Sequence, residues 1–230
     1  EPGVSQFHGD YQSSTQRSAT SQGCTGPPTS GTISIDDQMK CCECLLYSEV
    51  GGEDPQVPGT DDPLKSDPCM WWTLWVMYNR RHDPHPGGAI PGSGELSHCS
   101  QARNPAFAGG WPSERFKNCY CDDRRKNASE AEKKRMERAN NLCRKLGIGN
   151  YGNRKDPTGG ANYFFVCGSE PDWMQCNIDN KVCSKVAGPA GCGHCFYKCK
   201  SVPQPCDNTT TGTSTRESGT ATSGTTTIVY

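Results

Sequence analysis

The stretch CGHCFYKCKSVPQPC, residues 192–206, places four cysteines and one histidine in fifteen positions. Its opening Cys-x-x-Cys spacing occurs in zinc sites, in redox-active pairs and in disulfide frameworks. The choice among these chemistries decides the fold, because a chain that is stabilised by cross-links can fold around a smaller hydrophobic core than a chain without them.

The composition of the whole chain favours disulfides. Sixteen cysteines in 230 residues are far above ordinary usage, and the number is even, which is typical of extracellular disulfide-bonded proteins. Only 32% of the residues are apolar, so cross-links must supply stability that burial does not. We predict that every cysteine is disulfide-bonded: Cys24, Cys41, Cys42, Cys44, Cys69, Cys99, Cys119, Cys121, Cys143, Cys167, Cys176, Cys183, Cys192, Cys195, Cys199 and Cys206.

Two other chemistries compete at residues 192–206. Cys192, His194, Cys195 and Cys199 could together ligate zinc, but His194 lies in a cramped position inside the Cys-x-x-Cys itself. A redox pair is typical of a strand that opens into a helix, whereas the aromatic residues after Cys195 continue as a strand. We therefore predict structural disulfides, an exposed loop position for His194, no metal and no cofactor.

Other features of the sequence indicate the location of the protein and the kind of partner it binds. Two Asn-x-Ser/Thr sequons, at Asn127 and Asn208, are candidate glycosylation sites and favour an extracellular protein, either secreted or part of a surface protein. No apolar run approaches the roughly 18 residues of a membrane span, so we expect no membrane-spanning segment in this sequence. The net charge of −1 and the lack of a nucleic-acid-binding motif argue against a nucleic-acid partner.

Composition divides the chain into three parts. Residues 1–23 are polar without an apolar period and predict a flexible arm. Residues 24–206 contain every cysteine and predict a single disulfide-stapled domain. Residues 207–230 form a Ser/Thr-rich tail or linker.

The apolar pattern predicts a mainly β fold, antiparallel, sandwich-like and rich in loops. The strongest run, MWWTLWVMY at residues 70–78, indicates a buried strand, and residues 162–167 indicate a second one. Weaker strand candidates are residues 32–35, 45–47 and 195–199.

One helix is predicted near residues 129–146. Ser129 and Glu132 have the spacing of a capping box, Gly147 follows the last apolar position, and apolar residues recur every three or four positions. Cys143 lies on that apolar face, so we expect it to tie the helix to the sheet.

Charge is unevenly distributed along the chain. Acids dominate residues 36–67 and bases dominate residues 115–155, so the two segments either attract each other across the fold or present a basic patch to an acidic receptor or a heparin-like chain. Candidate binding residues lie in a histidine-containing loop and on the basic helix: Arg81, His82, Asp83, His85, Arg135 and Arg138.

We predict a non-enzymatic recognition domain, without catalytic residues, that binds a cell-surface protein or receptor, or that acts as a secreted effector. The alternative is a small secreted hydrolase acting on carbohydrate, in which Trp71, Trp72 and Trp75 stack on sugars beside paired acids. Exposure of these tryptophans in an open groove would favour the hydrolase, whereas their burial would count against it.

Residues 143–212 carry motifs similar to those of one known family. They are FFVC at residues 164–167, Cys192-Gly193, Cys195-Phe196-Tyr197 with Cys199, and Thr210-Thr211-Gly212 after Cys206. With these motifs the segment resembles the receptor-binding domain of gammaretrovirus-type envelope surface subunits. The resemblance implies an immunoglobulin-like sandwich with a helical insertion, attachment to a host receptor from the virion surface, and a role in fusion control for His8.

Overall fold

The computed structural model describes residues 24–28, 32–50, 62–82, 97–104, 107–147, 155–201 and 203. This part of the chain is mostly helical and has one small sheet, so the predicted mainly β, sandwich-like fold is wrong. None of its helices is long and apolar enough to cross a bilayer. The elements in order are α1 (Ile35–Val50), α2 (Pro63–Ser66), α3 (Pro68–His82), α4 (His98–Arg103), α5 (Glu114–Tyr120), α6 (Asp122–Lys126), α7 (Glu130–Leu146), β1 (Tyr163–Val166), α8 (Asp172–Asp179), β2 (Cys183–Val186) and β3 (His194–Cys199).

Helix α1 lies at the centre of the helical body, which comprises α1 to α7 and residues 24–28. It packs against α3, α4, α5 and α7, and every residue from Cys41 to Ser48 is buried. Asp36 and Asp37 in its first turn complement the positive end of the helix dipole. The strands predicted at residues 32–35 and 45–47 are therefore wrong, because Ile35 begins this helix and residues 45–47 lie inside it.

Helix α3 contains the apolar run that predicted the strongest strand. It is buried on opposite sides, since Trp71 and Leu74 belong to the main helical core, whereas Trp72 and Val76 pack with Phe196 of β3. A helix buried on several faces has no polar side, so its sequence shows no helical period. That is why residues 70–78 resembled a buried strand.

The predicted helix near residues 129–146 is confirmed as α7. Ser129 and Glu132 form both hydrogen bonds of the capping box, and Gly147 has a φ of 84° at the C-cap, a conformation that favours glycine. Cys143 is buried as expected, but it bonds to Cys42 of α1 rather than to the sheet. Its predicted partner was therefore wrong, because α7 packs on α1.

The sheet has the antiparallel order β1-β3-β2 and confirms the strands predicted at residues 162–167 and 195–199. Tyr163 pairs with Tyr197, and Cys183 pairs with Cys199 directly across the β2–β3 ladder. A small core that includes Met174 of α8 lies beside these strands. We call residues 155–201 the sheet lobe.

Disulfides organise both parts of the molecule, which confirms its disulfide-rich character. Four bonds lie inside the helical body: Cys24–Cys121, Cys41–Cys99, Cys42–Cys143 and Cys44–Cys119. Two lie inside the sheet lobe, Cys167–Cys195 and Cys183–Cys199, and Cys69–Cys192 joins the lobe to α3. Cys176 is also disulfide-bonded, and Cys206 lies outside the described residues.

Candidate functional site

The solvent side of α7 is a continuous exposed surface, which we call the α7 outer face. Its members recur every three or four residues and therefore lie along one side of the helix. Three of them are cationic and two are anionic, so the face carries a small net positive charge. They are Glu130, Ala131, Lys134, Glu137, Asn141, Arg144 and Lys145.

The other sides of α7 fix the helix to the rest of the body. Arg138 forms an ion pair with Asp67, with 2.7 Å between Nη2 and Oδ1, and both side chains are largely buried. Asn140 donates a hydrogen bond from Nδ2 to Oε2 of Glu43 at 2.9 Å. Together with the disulfide from Cys143, these contacts hold the helix at several points along its length.

The ion pairs also connect the acidic and basic segments of the sequence. Glu43, whose side chain is only 4% exposed, accepts a hydrogen bond from Nη2 of Arg125 at 2.5 Å. Asp122 accepts one from Lys40 at 2.7 Å, at a more exposed position. Glu43 comes from residues 36–67 and Arg125 from residues 115–155, so attraction between the two segments across the fold is confirmed at this pair.

The predicted binding residues do not form one surface. Arg135 and Arg138 both lie on α7, but they are half-buried beside the outer face rather than on it. Arg81 is buried near the end of α3, and His82 is the last residue of that helix. Asp83 and His85 lie outside the described residues. Lys134 and Arg144 belong to the basic segment noted in the sequence but were not chosen as binding residues, although the helical period places Lys134 almost opposite the buried Met136.

The three tryptophans proposed as a sugar platform are core residues. Trp71, Trp72 and Trp75 are 4%, 9% and 3% exposed. Trp71 and Trp75 pack edge to face at 6.1 Å, and Trp72 lies 5.2 Å from the ring of Phe196. Their burial removes the stacking surface on which the carbohydrate hydrolase hypothesis rested.

Two half-buried groups of opposite charge, the Glu49 carboxyl and the Arg80 guanidinium, lie where α1, α3 and β1 meet. Burial raises the pKa of Glu49 to about 7, although the backbone N–H of Gly109, at 2.7 Å, and the charge of Arg80 act in the opposite direction. The Arg80 guanidinium stacks on the rings of Phe107 and Tyr163, at 4.7 and 5.1 Å. Its Nε and Nη2 atoms are buried without a hydrogen-bond partner in the described part of the chain. Because the pKa of Glu49 is raised, the charge of this carboxyl changes with pH near neutrality.

His194 does not occupy the exposed loop position that was predicted for it. It is the first residue of β3, pairs with Val166 of β1, and is only 8% exposed because its side chain turns toward α3. Its Nδ1 atom lies 3.8 Å from Sγ of Cys69, and its ring packs edge to face on Phe164 at 5.4 Å.

A pocket of about 430 Å³ opens beside this histidine. It is lined by Cys167, Cys192, His194 and Cys195 and by the segment from Lys185 to Pro189. Cys69, Cys192 and His194 each place a ligand-type atom within 4.8 Å of the other two. From the sequence, the candidate ligands were Cys192, His194, Cys195 and Cys199, since nothing in the sequence indicates that Cys69 lies beside His194.

Of the two sequons, only the one at Asn127 lies among the described residues. Asn127 is exposed at the C-terminal end of α6, where an attached glycan would meet solvent. Asn208 and His8 lie outside the described residues.

The resemblance to gammaretrovirus-type envelope domains implied an immunoglobulin-like sandwich, which the helical body contradicts. Two of the motifs that carry the resemblance, at residues 164–167 and 195–199, do lie on the neighbouring strands β1 and β3. Comparison of the chain with protein-family models, with curated proteins and with solved structures finds no match.

Proposed function

We propose that the chain is an extracellular recognition domain that binds a protein partner through the α7 outer face. The observation that carries the proposal is the contrast between the two sides of α7. Its inner side is fixed by a disulfide and a largely buried ion pair, and a capping box closes its N-terminal end, whereas its outer side presents a net basic surface to solvent.

Rigidity of this kind favours recognition. Binding costs free energy when backbone and side chains must be ordered, and a helix that is already held in place avoids most of that cost. A disulfide framework that displays chemically distinctive residues on its surface is typical of secreted binding modules. The dense cross-linking supports the extracellular location for the same reason.

The charge of the face defines the chemistry of the partner. Lys134, Arg144 and Lys145 favour an acidic protein surface, because complementary charges accelerate association and exclude partners of like charge. Glu137 and Asn141 lie between the cations. This mixture fits the varied surface of a protein better than the uniform charge of a sulfated glycan.

Charge reversal of Lys134 and Arg144 tests the proposal. The double variant Lys134→Glu/Arg144→Glu should lose binding to cell-surface proteins captured by the wild-type domain, with unchanged circular dichroism. Lys185→Glu/Lys200→Glu is the matched control, since both lysines are exposed in the sheet lobe and the double reversal changes the net charge equally. Reversal of Arg138 would be a poor test, because it would place two carboxylates together at Asp67.

Two outcomes would contradict the proposal. The first is equal binding by the wild-type domain and the double variant. The second is binding that purified heparin abolishes while an acidic protein does not compete, which would identify a sulfated glycan as the ligand. The hydrolase alternative predicts release of reducing sugar from polysaccharide substrates by the purified chain.

A further inference from the structure

Among the seven disulfides that join two described cysteines, Cys69–Cys192 alone links the helical body to the sheet lobe. Cys69 is the second residue of α3, and Cys192 precedes β3 by two residues. The bond closes a sequence separation of 123 residues. His194 lies against it, with Nδ1 3.8 Å from Sγ of Cys69.

The three side chains have the composition and spacing of a zinc site once the disulfide is open. Zinc binds cysteine sulfur at about 2.3 Å and histidine nitrogen at about 2.0–2.1 Å, so two such ligands in a tetrahedron lie roughly 3.6 Å apart. The observed separation of 3.8 Å between Cys69 and His194 is close to that value. The α-carbons of Cys69 and Cys192 lie 5.2 Å apart, so rotation of the side chains can separate the two sulfurs without moving the backbone far.

The neighbouring pocket supplies access. Cys192 is half-buried, and it lines the pocket of about 430 Å³ together with His194. A reductant or a metal ion can therefore approach the bond from solvent, and a water molecule from the pocket can complete a four-coordinate site. The disulfides between α1 and its neighbours are 0–1% exposed at both cysteines and offer no comparable access. Cys167–Cys195 lines the same pocket and is also accessible, but it lies within the sheet lobe and its cysteines are not part of the cluster with His194.

We propose that Cys69, Cys192 and His194 form a redox-gated site for Zn²⁺. Two-electron reduction by a dithiol breaks the Sγ–Sγ bond, the dithiol becomes a cyclic disulfide, and its two protons pass to the cysteine sulfurs. Zn²⁺ then binds both sulfurs as thiolates and Nδ1 of His194, and it releases the two protons to solvent. The metal holds α3 and β3 together in place of the disulfide, so the lobe stays attached in either redox state.

Metal titration during graded reduction tests the proposal. The wild-type protein is treated with increasing amounts of a water-soluble phosphine, which water converts to the phosphine oxide as a disulfide opens, with one equivalent of Co²⁺ present as a spectroscopic substitute for zinc. Alkylation followed by peptide mass spectrometry identifies the cysteines that have opened. His194→Gln is the matched control, because glutamine keeps a polar side chain of similar reach but is a poor ligand for either metal.

The expected result is binding of one Co²⁺ when Cys69–Cys192 opens, with thiolate charge-transfer absorption that Zn²⁺ removes. Affinity should fall at least about tenfold in His194→Gln, and bound Zn²⁺ should protect Cys69 and Cys192 from alkylation. Equal binding in His194→Gln would overturn the proposal, since other thiols would then hold the ion. Failure of Cys69–Cys192 to open before the far-ultraviolet circular dichroism of the helices is lost would overturn it as well.

Discussion

Glu49 is a carboxylate in a setting that disfavours its charge. Burial raises its pKa to about 7, whereas an unfolded chain leaves a glutamate near 4.3. Between these two values the folded state holds one proton more than the unfolded state. The free energy of unfolding therefore falls as pH rises through this window and levels off above about pH 7.

The variant Glu49→Gln should remove this pH dependence. Glutamine is neutral at every pH, and its carbonyl oxygen can still accept the hydrogen bond from Gly109. The wild-type protein should lose on the order of 2–3 kcal/mol of stability between pH 5 and pH 8 from this residue, and the variant should lack that part of the slope. Urea unfolding at several pH values measures it, with the exposed Glu137→Gln as control. Equal slopes in all three proteins would contradict the raised pKa.

Two glycines separate the effect of steric overlap from the effect of backbone conformation. A Cβ at Gly110 would overlap the carbonyl oxygen of Ala102, a backbone atom that cannot rotate away. A Cβ at Gly168 would meet nothing within 4 Å, but this residue has a φ of 84°. Gly110→Ala should cost about 2–3 kcal/mol and Gly168→Ala about 1 kcal/mol. Chemical denaturation of both variants measures the difference, and a reversed order would show that the segment around Gly110 relaxes easily.

At the scale of elements, the amphipathic period that predicted α7 was absent from α1 and α3, although α1 has a capping residue, because Ser34 accepts a hydrogen bond from the backbone N–H of Asp37. Helix α7 has one buried side and one solvated side, and its ends carry a capping box and a glycine, so its sequence shows both the period and the boundaries. Helices α1 and α3 are enclosed by other elements, and the nine-residue apolar run of α3 has no polar side. Such a run fits a buried strand and a buried helix equally well. Only the tertiary packing decides between them.

The capping box of α7 gives a prediction at this scale. Ser129 accepts a hydrogen bond from the backbone N–H of Glu132, so Ser129→Ala should destabilise the domain by about 1 kcal/mol. The same substitution destroys the sequon at Asn127, and glycan loss could therefore mimic the effect. Asn127→Gln removes the sequon and leaves the cap intact. The difference in thermal unfolding between the two variants isolates the cap, and identical values would show that it contributes nothing.

At the scale of the molecule, long-range pairing made one candidate site, the cluster at His194, impossible to predict from the sequence. The α7 outer face could be predicted from the helical period, and two of the predicted binding residues, Arg135 and Arg138, lie directly beside it. The cluster at His194 could not, because Cys69 lies 123 residues before Cys192 and sixteen cysteines allow far too many pairings. The burial of His194 has the same origin, since it depends on how α3 packs against the sheet lobe.

Cys69–Cys192 and the packing of α3 on the sheet lobe join the two parts of the molecule, and Arg80 of α3 also stacks on Tyr163 of β1. Besides Cys69–Cys192, Trp72 packs on Phe196, and Asn79 of α3 donates to the side chain of Asp156 at 3.0 Å and to the carbonyl of Ala161 at 2.9 Å. Without the disulfide, this packing should no longer be strong enough to make the helical body and the sheet lobe unfold in one cooperative transition. The sheet lobe should then open on its own.

The double variant Cys69→Ser/Cys192→Ser should lose about 2–5 kcal/mol of stability. Its control is Cys42→Ser/Cys143→Ser, which removes a bond of similar sequence separation, 101 against 123 residues, but inside the helical body. The entropic cost in the unfolded chain is therefore similar in the two variants. In hydrogen exchange, only the first variant should show β1 and β3 amides exchanging well before those of α1 and α7. Simultaneous exchange of all four elements in that variant would mean that Trp72, Asn79 and their contacts are sufficient to couple the lobe to the body.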